Sequence, residues 1–108
     1  MNLFTLAETH TGLATQAPAR RSAVTVHGGH EHALRQTVMA LSQGEHLHET
    51  EHPGGETTVL VLHGNIRLVT GAQQQSGAPG DYFVPAAGRH RIEAETDAAI
   101  LFTHVVPR

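Results

Sequence analysis

The amino-acid sequence predicts a single all-β domain, an antiparallel barrel of short strands that follows a short N-terminal arm. Three observations predict this class: the chain has only 108 residues, its apolar residues occur in short β-branched runs, and Gly and Pro separate these runs. About eight such runs follow one another at intervals of roughly 8–12 residues, which is typical of sandwiches and barrels. No helical stretch alternates with them, so we do not expect a parallel sheet with crossover helices.

The arm comprises residues 1–21 and the barrel residues 22–108. We expect the arm to be a short helix or irregular, because its periodicity is weak. Beyond the histidine-rich segment, the predicted strands are residues 22–27, 34–41, 57–62, 66–70, 82–84, 90–95 and 98–106. Residues 34–41 fit helix or strand by periodicity, and the glycines on either side favour a strand.

The connections between these strands carry turn residues. The strands on either side of Gly64 and Asn65 are predicted to form a hairpin about these two residues. Residues 71–80 are Gly-rich and polar, which predicts a loop. Gly80 and Asp81 predict a turn in which the Asp side chain accepts hydrogen bonds from nearby backbone amides.

Composition excludes several classes of protein. The formal net charge is −3 and the seven cations are scattered arginines, so we expect no nucleic-acid partner. The absence of cysteine excludes disulfides, thiolate metal sites and a Cys nucleophile. Neither a signal peptide nor an apolar run long enough for a bilayer is evident, so we expect no membrane association and a cytoplasmic location.

The ten histidines are the most unusual feature of the composition. Histidine is the commonest metal ligand among side chains. His27, His30 and His32 form one cluster, for which a connection at a barrel edge or a dimer contact is favoured over a surface metal site. We expect His63 to be exposed and His104 to face solvent or a partner chain.

Two segments resemble the conserved motifs of the cupin superfamily. Residues 44–64 contain, in the cupin order, a Gly, a group of histidines, a Glu and a second Gly at the end of a strand. Residues 80–90 contain Gly-Asp, an apolar strand, Pro85 and then His90, as in the second motif. The resemblance covers roughly the last two thirds of the chain. It implies an antiparallel cupin barrel, an RmlC-like jelly roll, with a cavity lined by residues near 48–60 and 82–92.

The resemblance also implies a mononuclear metal site made of His52, Glu56 and His90, with His48 or solvent completing it. Thr50 stands where the first histidine of the motif is expected. His48 and His52 would lie ~13 Å apart in an ideal strand, so His48 can join the site only if the chain bends between them.

One residue more than usual separates Glu56 from Gly64, so Thr57 could occupy the carboxylate position instead. Imidazole and carboxylate ligands suit Zn, Ni, Mn or Fe. Arg89 and Arg91 alternate with His90, and both should point outward if His90 points into the barrel.

Three functions remain open. The first is a divalent-metal-binding cupin of unknown reaction, and the second is a metal-free small-molecule-binding or sensor cupin with a degenerate site. The third is a purely structural or interaction protein. No Ser-His-Asp order, nucleophile elbow or phosphate loop is present to indicate an enzyme class. The resemblance further implies a homodimer through edge strands, with residues 1–26 as a packed or exchanged arm.

Overall fold

Two antiparallel sheets that face each other make up the body of the molecule. The computed structural model describes residues 1–50, 56–85 and 89–106, without the side chains of residues 48–50. The elements are α1 Leu3–Gln16, β1 Arg21–His27, β2 Leu34–Leu41, β3 His46–Thr50, β4 Thr57–His63, β5 Ile66–Thr70, β6 Gln73–Gly77, β7 Tyr82–Phe83, β8 His90–Ala94 and β9 Ala98–Val105. The larger sheet has the order β1-β2-β9-β4-β7 and the smaller one β3-β8-β5-β6. The predicted all-β class is confirmed, as two facing sheets.

The main core lies between the two sheets, on their inner faces. Its buried members are Leu41, Val59, Val61, Ile66, Leu68, Ile92, Ala94, Ala98, Ile100 and Phe102. Members of one strand are two residues apart, because successive side chains of a strand point to opposite faces. The core therefore identifies the inner face of each strand: odd-numbered residues of β2 and β4, and even-numbered residues of β5, β8 and β9.

The N-terminal arm is a helix that covers the outer face of the larger sheet. Asn2 caps it by accepting a 3.0 Å hydrogen bond from the Thr5 amide. The buried side chains of Ala7 and Ala14 let the helix lie close to Val38 and Ala40. The arm therefore packs on its own sheet. Among the described residues, no helix is long and apolar enough to cross a membrane.

Short connections join the two sheets at one end of the molecule. They are residues 42–45 between β2 and β3, 64–65 between β4 and β5, and 95–97 between β8 and β9. This end is termed the closed end. At the opposite end, termed the open end, β3 and β7 finish and β4 and β8 begin. Both segments that carry the predicted ligands therefore meet the open end.

The hairpin predicted about Gly64 and Asn65 is wrong. β4 pairs with β7 and β9, whereas β5 pairs with β6 and β8, so the two residues form a corner between sheets. Gly64 has a φ of 68°, and a Cβ atom at this position would collide with the carbonyl oxygen of Asp97. The Asn65 amide donates to Thr96 Oγ1 at 3.0 Å. The corner thus packs against the neighbouring connection, and a Gly-Asn pair alone does not distinguish it from a hairpin turn.

The loop predicted for residues 71–80 is also wrong, because β6 occupies its centre. β6 is an edge strand that pairs with β5 alone, from Thr70 opposite Gln73 to Ile66 opposite Gly77. Its glutamines are exposed, so it lacks the apolar alternation that predicts a strand. The turn that follows is as predicted: the Ala78 amide donates to Asp81 Oδ2 at 2.8 Å.

Candidate binding site at the open end

His90 is the predicted ligand that the structure places most clearly. It is the first residue of β8 and only 5% exposed. Ile92 and Ala94, the next residues on the same face of β8, belong to the core between the sheets. His90 therefore lies on the inner face, at the open end.

β3 runs beside His90 and contains a bulge. Leu47 is the partner of Ile92, but the next paired residue is Thr50, opposite His90. One extra residue on β3 shifts the register at this point. The position at which the motif lacks a histidine is thus the direct neighbour of His90. The backbone of His48 lies within this bulged part of β3, whereas His52 lies outside the described residues.

Glu56 and Thr57 differ in exposure. Glu56 is exposed just before β4, and Thr57 is 8% exposed on the inner face. The backbone therefore gives Thr57, not Glu56, the inward position expected of the carboxylate ligand. Within the described residues, no group of three His, Asp or Glu side chains is arranged to hold a metal ion. The roles predicted for His48, His52 and Glu56 stay predictions.

A row of three polar residues crosses the inner face of the larger sheet at the open end. Arg35 on β2 is the partner of His104 on β9, and His104 is the partner of Thr57 on β4. Directly opposed residues of this kind have Cβ atoms roughly 5 Å apart. This row lies in the larger sheet at the same end as His90 in the smaller sheet.

Arg35 is a residue of this row that the sequence analysis missed. Its side chain is half-buried, and its stem lies beside Gly28, where an added Cβ would be 3.8 Å from Arg35 Cγ. Its Nε atom is buried and has no hydrogen-bond partner in the described part of the chain. The available signal was strand parity: Arg35 lies four and six residues before Met39 and Leu41, which pack in the core.

His104 was expected to face solvent or a partner chain, and that expectation is wrong. It follows Ile100 and Phe102 on the inner face of β9. Its ring centroid is 5.5 Å from that of Phe102. A histidine close to the end of an otherwise apolar strand resembles a surface residue in sequence. His104 is nevertheless an even-numbered residue of β9, as are the core residues of that strand.

The smaller sheet contributes a pocket with amide groups at the same end. Thr70 and Gln73 are partners on β5 and β6, and Gln75 lies opposite Leu68. The pocket has a volume of about 170 Å³ and is lined by Leu68, Thr70, Gln73, Gln75, Phe83, Val84 and Pro85. It is therefore partly apolar, with amide and hydroxyl groups that could orient a small ligand.

No protein-family model matches the sequence, and no curated protein shows significant similarity to it. Solved structures do match. A conserved protein of unknown function from Streptococcus pyogenes has a TM-score of 0.74 and 23% identity, over 88% of this chain and 85% of that one. A cupin superfamily protein from Desulfitobacterium hafniense has a TM-score of 0.72 and 22% identity, over 88% of each chain. An RmlC-like cupin protein from Desulfovibrio desulfuricans has a TM-score of 0.68 and 24% identity, over 79% of this chain and 81% of that one.

The chain has the cupin fold. The two segments that resemble the cupin motifs take similar paths through this fold. The first leaves the closed end after Gly44, runs along β3 to the open end and returns along β4 to Gly64. The second starts at the turn around Gly80, follows β7 to the open end and reaches β8 at His90. The described parts of both segments therefore meet the open end.

The remaining predictions on charged residues agree with the cupin fold. His63 is exposed. Arg91 lies on the outer face of β8, where it pairs with Glu93 at 3.0 Å, and Arg89 is exposed. His27 ends β1 and His32 lies in the β1–β2 connection, and their rings are 4.8 Å apart between centroids. The histidine cluster is thus part of a connection at the edge of the larger sheet.

Proposed function

We propose that this cupin domain binds a small molecule at its open end, next to a divalent metal ion held by His90, His48, His52 and Glu56. The observation that carries the proposal is the position of His90. A buried imidazole on the inner face of β8, beside the β3 strand whose backbone carries His48, supports a mononuclear site at this end.

The residues fit such an ion in their chemistry. Imidazole nitrogen and carboxylate oxygen suit Zn, Ni, Mn or Fe, which here would come from the first motif and from β8. A bound ion would supply Lewis acidity toward a ligand oxygen. Thr57, Thr70 and the amide groups of Gln73 and Gln75 would orient the organic part of the ligand.

Elemental analysis of protein purified without a histidine tag tests this proposal. We expect about one ion per chain in the wild type, lost in His90→Ala and in His52→Ala. His63→Ala, which changes an exposed histidine on β4, is the matched control and should retain the ion. Circular dichroism confirms that each variant folds. No ion after loading with Zn, Ni, Mn and Fe(II) would refute the metal part of the proposal.

A metal-free binding or sensor domain is the second candidate. Thr50 favours it, because the direct neighbour of His90 on β3 is a residue with no imidazole. The exposed position of Glu56 favours it as well. A wild type that holds no ion but whose melting temperature rises with small organic ligands would support this candidate over the first.

We also propose that two copies of the chain associate through β1. The inner face of this edge strand is not covered, because Ala23 and Thr25 are exposed there. A largely apolar groove of about 270 Å³ lies beside it, between Met39 on β2 and Leu47 on β3. An exposed edge strand is a ready template for pairing with another chain.

Light scattering on a size-exclusion column tests the association. The wild type should have twice the mass of one chain. Ala23→Glu should shift the protein toward the monomer, because this substitution places a charge on the contact surface. Gln74→Glu, a charge added on an exposed strand away from β1, should not. A monomeric wild type would refute the dimer.

A further inference from the structure

We infer that the open end binds an organic anion, whose carboxylate or phosphate group is held by Arg35. This inference rests on the proposed function, since it names the class of small molecule that would enter the same cavity. It depends on three observations: the position of Arg35, the lack of a carboxylate partner for it among the described residues, and the chemistry of the surrounding inner face.

The strand register determines the position. β2 and β9 pair without a bulge along their whole length, from Leu34 opposite Val105 to Leu41 opposite Ala98. Arg35 therefore shares the inner face with Leu41, Ile100 and Phe102, which belong to the core. Arg35 thus lies at the open end of this inner face, on the sheet that faces His90.

Within the described residues, Arg35 has no carboxylate partner, in contrast to other arginines in strands. Arg21 pairs with Glu45 at 3.4 Å, and both Arg67 and Arg91 pair with Glu93, at 2.9 and 3.0 Å. Among the described residues, no carboxylate pairs with Arg35, and its buried Nε has no acceptor. A half-buried cation without an acceptor is costly, and a bound anion would remove this cost.

The surrounding inner face carries no negative charge in the part of the chain that the structure describes. The residues that share the inner face with Arg35 at the open end of the larger sheet are Thr37, Thr57 and His104, and on the smaller sheet they are His90, Thr70 and Gln73. Hydroxyl, amide and imidazole groups can donate hydrogen bonds to an oxyanion, and among the described residues no carboxylate pairs with Arg35. Arginine binds carboxylate and phosphate with two parallel hydrogen bonds. The inner face at the open end is therefore chemically suited to an anion.

Calorimetric titration with matched probes tests the inference. Succinate and citrate represent carboxylates, inorganic phosphate and glycerol 3-phosphate represent phosphates, and succinamide is the uncharged control. We expect at least one anion to bind the wild type and succinamide not to bind. Arg35→Gln should weaken that binding by about 10-fold or more, since a charge-assisted hydrogen bond is lost. Arg35→Lys should weaken it less, because the charge is retained.

Arg67→Gln is the matched control, because Arg67 lies on the outer face of β5 and should leave binding unchanged. Whether the carboxylates or the phosphates bind identifies the group that Arg35 holds. Anion binding that persists in Arg35→Gln, or a wild type that binds none of the four anions, would overturn the inference. If such a wild type still holds an ion lost in His90→Ala, or binds succinamide, only the inference on Arg35 fails. If it binds neither ion nor probe, the proposed function fails with it.

Discussion

The closed and open ends of this molecule are built from the same strands but differ in chemistry. At the closed end, the inner faces carry Leu41, Ile66, Ala94 and Ala98, each at most 4% exposed. Neighbouring connections bind each other there, as when the Gln43 amide donates to Asp97 Oδ1 at 2.8 Å. At the open end, the same faces carry arginine, histidine, threonine and glutamine.

Because of this difference, the closed-end part of each strand contributes mainly to the stability of the fold, and the open-end part is suited to binding a ligand. Buried apolar area supplies most of the folding free energy, and at the closed end the inner-face residues named above are all apolar and buried. Polar groups facing inward at the open end are unfavourable for folding unless they find partners. Their presence indicates that this half of the sandwich is adapted to a ligand, at some cost to stability.

The largest effect that tests this comparison is expected on β5, which has one inner residue at each end. Ile66→Ala should destabilise the protein by about 3 kcal/mol, because it leaves a cavity in the closed end. Thr70→Ala, on the same face at the open end, should cost less than about 1 kcal/mol. Urea unfolding followed by circular dichroism measures both. Equal losses of unfolding free energy in the two variants would show that both ends contribute equally to stability.

A smaller effect is expected for two turn glycines with nearly equal backbone angles. Gly64 at the closed end has a φ of 68° and Gly71 at the open end a φ of 59°. Gly71→Ala should cost about 1 kcal/mol from the backbone alone, because no atom lies within 4 Å of the added Cβ. Gly64→Ala should cost about 2 kcal/mol or more, because its Cβ also meets the backbone of Asp97.

Thermal unfolding of the two glycine variants makes the comparison. Gly64→Ala, at the closed end, should show the larger loss of stability. A loss for Gly71→Ala as large as that for Gly64→Ala would contradict the packing of the two connections.

The smallest effect, and the one of opposite sign, is expected for Arg35→Met. Methionine preserves the stem beside Gly28 and removes a charge whose buried Nε has no acceptor among the described residues. The ligand-free protein should gain about 0.5–1 kcal/mol in unfolding free energy. Arg67→Met, which breaks a partly exposed ion pair, should lose about 0.5 kcal/mol or less. Destabilisation by Arg35→Met in the absence of ligand would mean that Arg35 has a structural role.

Local patterns were sufficient to predict most strands and one site residue. Residues 34–41 form β2 with the predicted bounds, because the glycines on either side resolve a periodicity that fits helix or strand. His90 was found because the motif fixes its distance from Gly80. The parity rule that puts Arg91 outside also follows from sequence alone.

Pairing between strands could not be predicted in the same way. A Gly-Asn pair is compatible with a hairpin and with a corner between sheets, and the choice depends on Asp97, which is distant in sequence. Arg35 and His104 became visible as site residues only when the register placed them opposite each other. Their alternation with core residues is a signal in the sequence, but its meaning depends on knowing which face is inside.

The order of strands in the larger sheet has a consequence for how the chain folds. β9 follows every other strand in the chain, yet it lies between β2 and β4. The hydrogen bond from Gln36 to Thr103 therefore joins residues 67 positions apart. During synthesis, β1 and β2 can pair early but have no sheet to join until β9 emerges, and loop closure of this length is slow. The larger sheet should therefore be completed late and in one cooperative step.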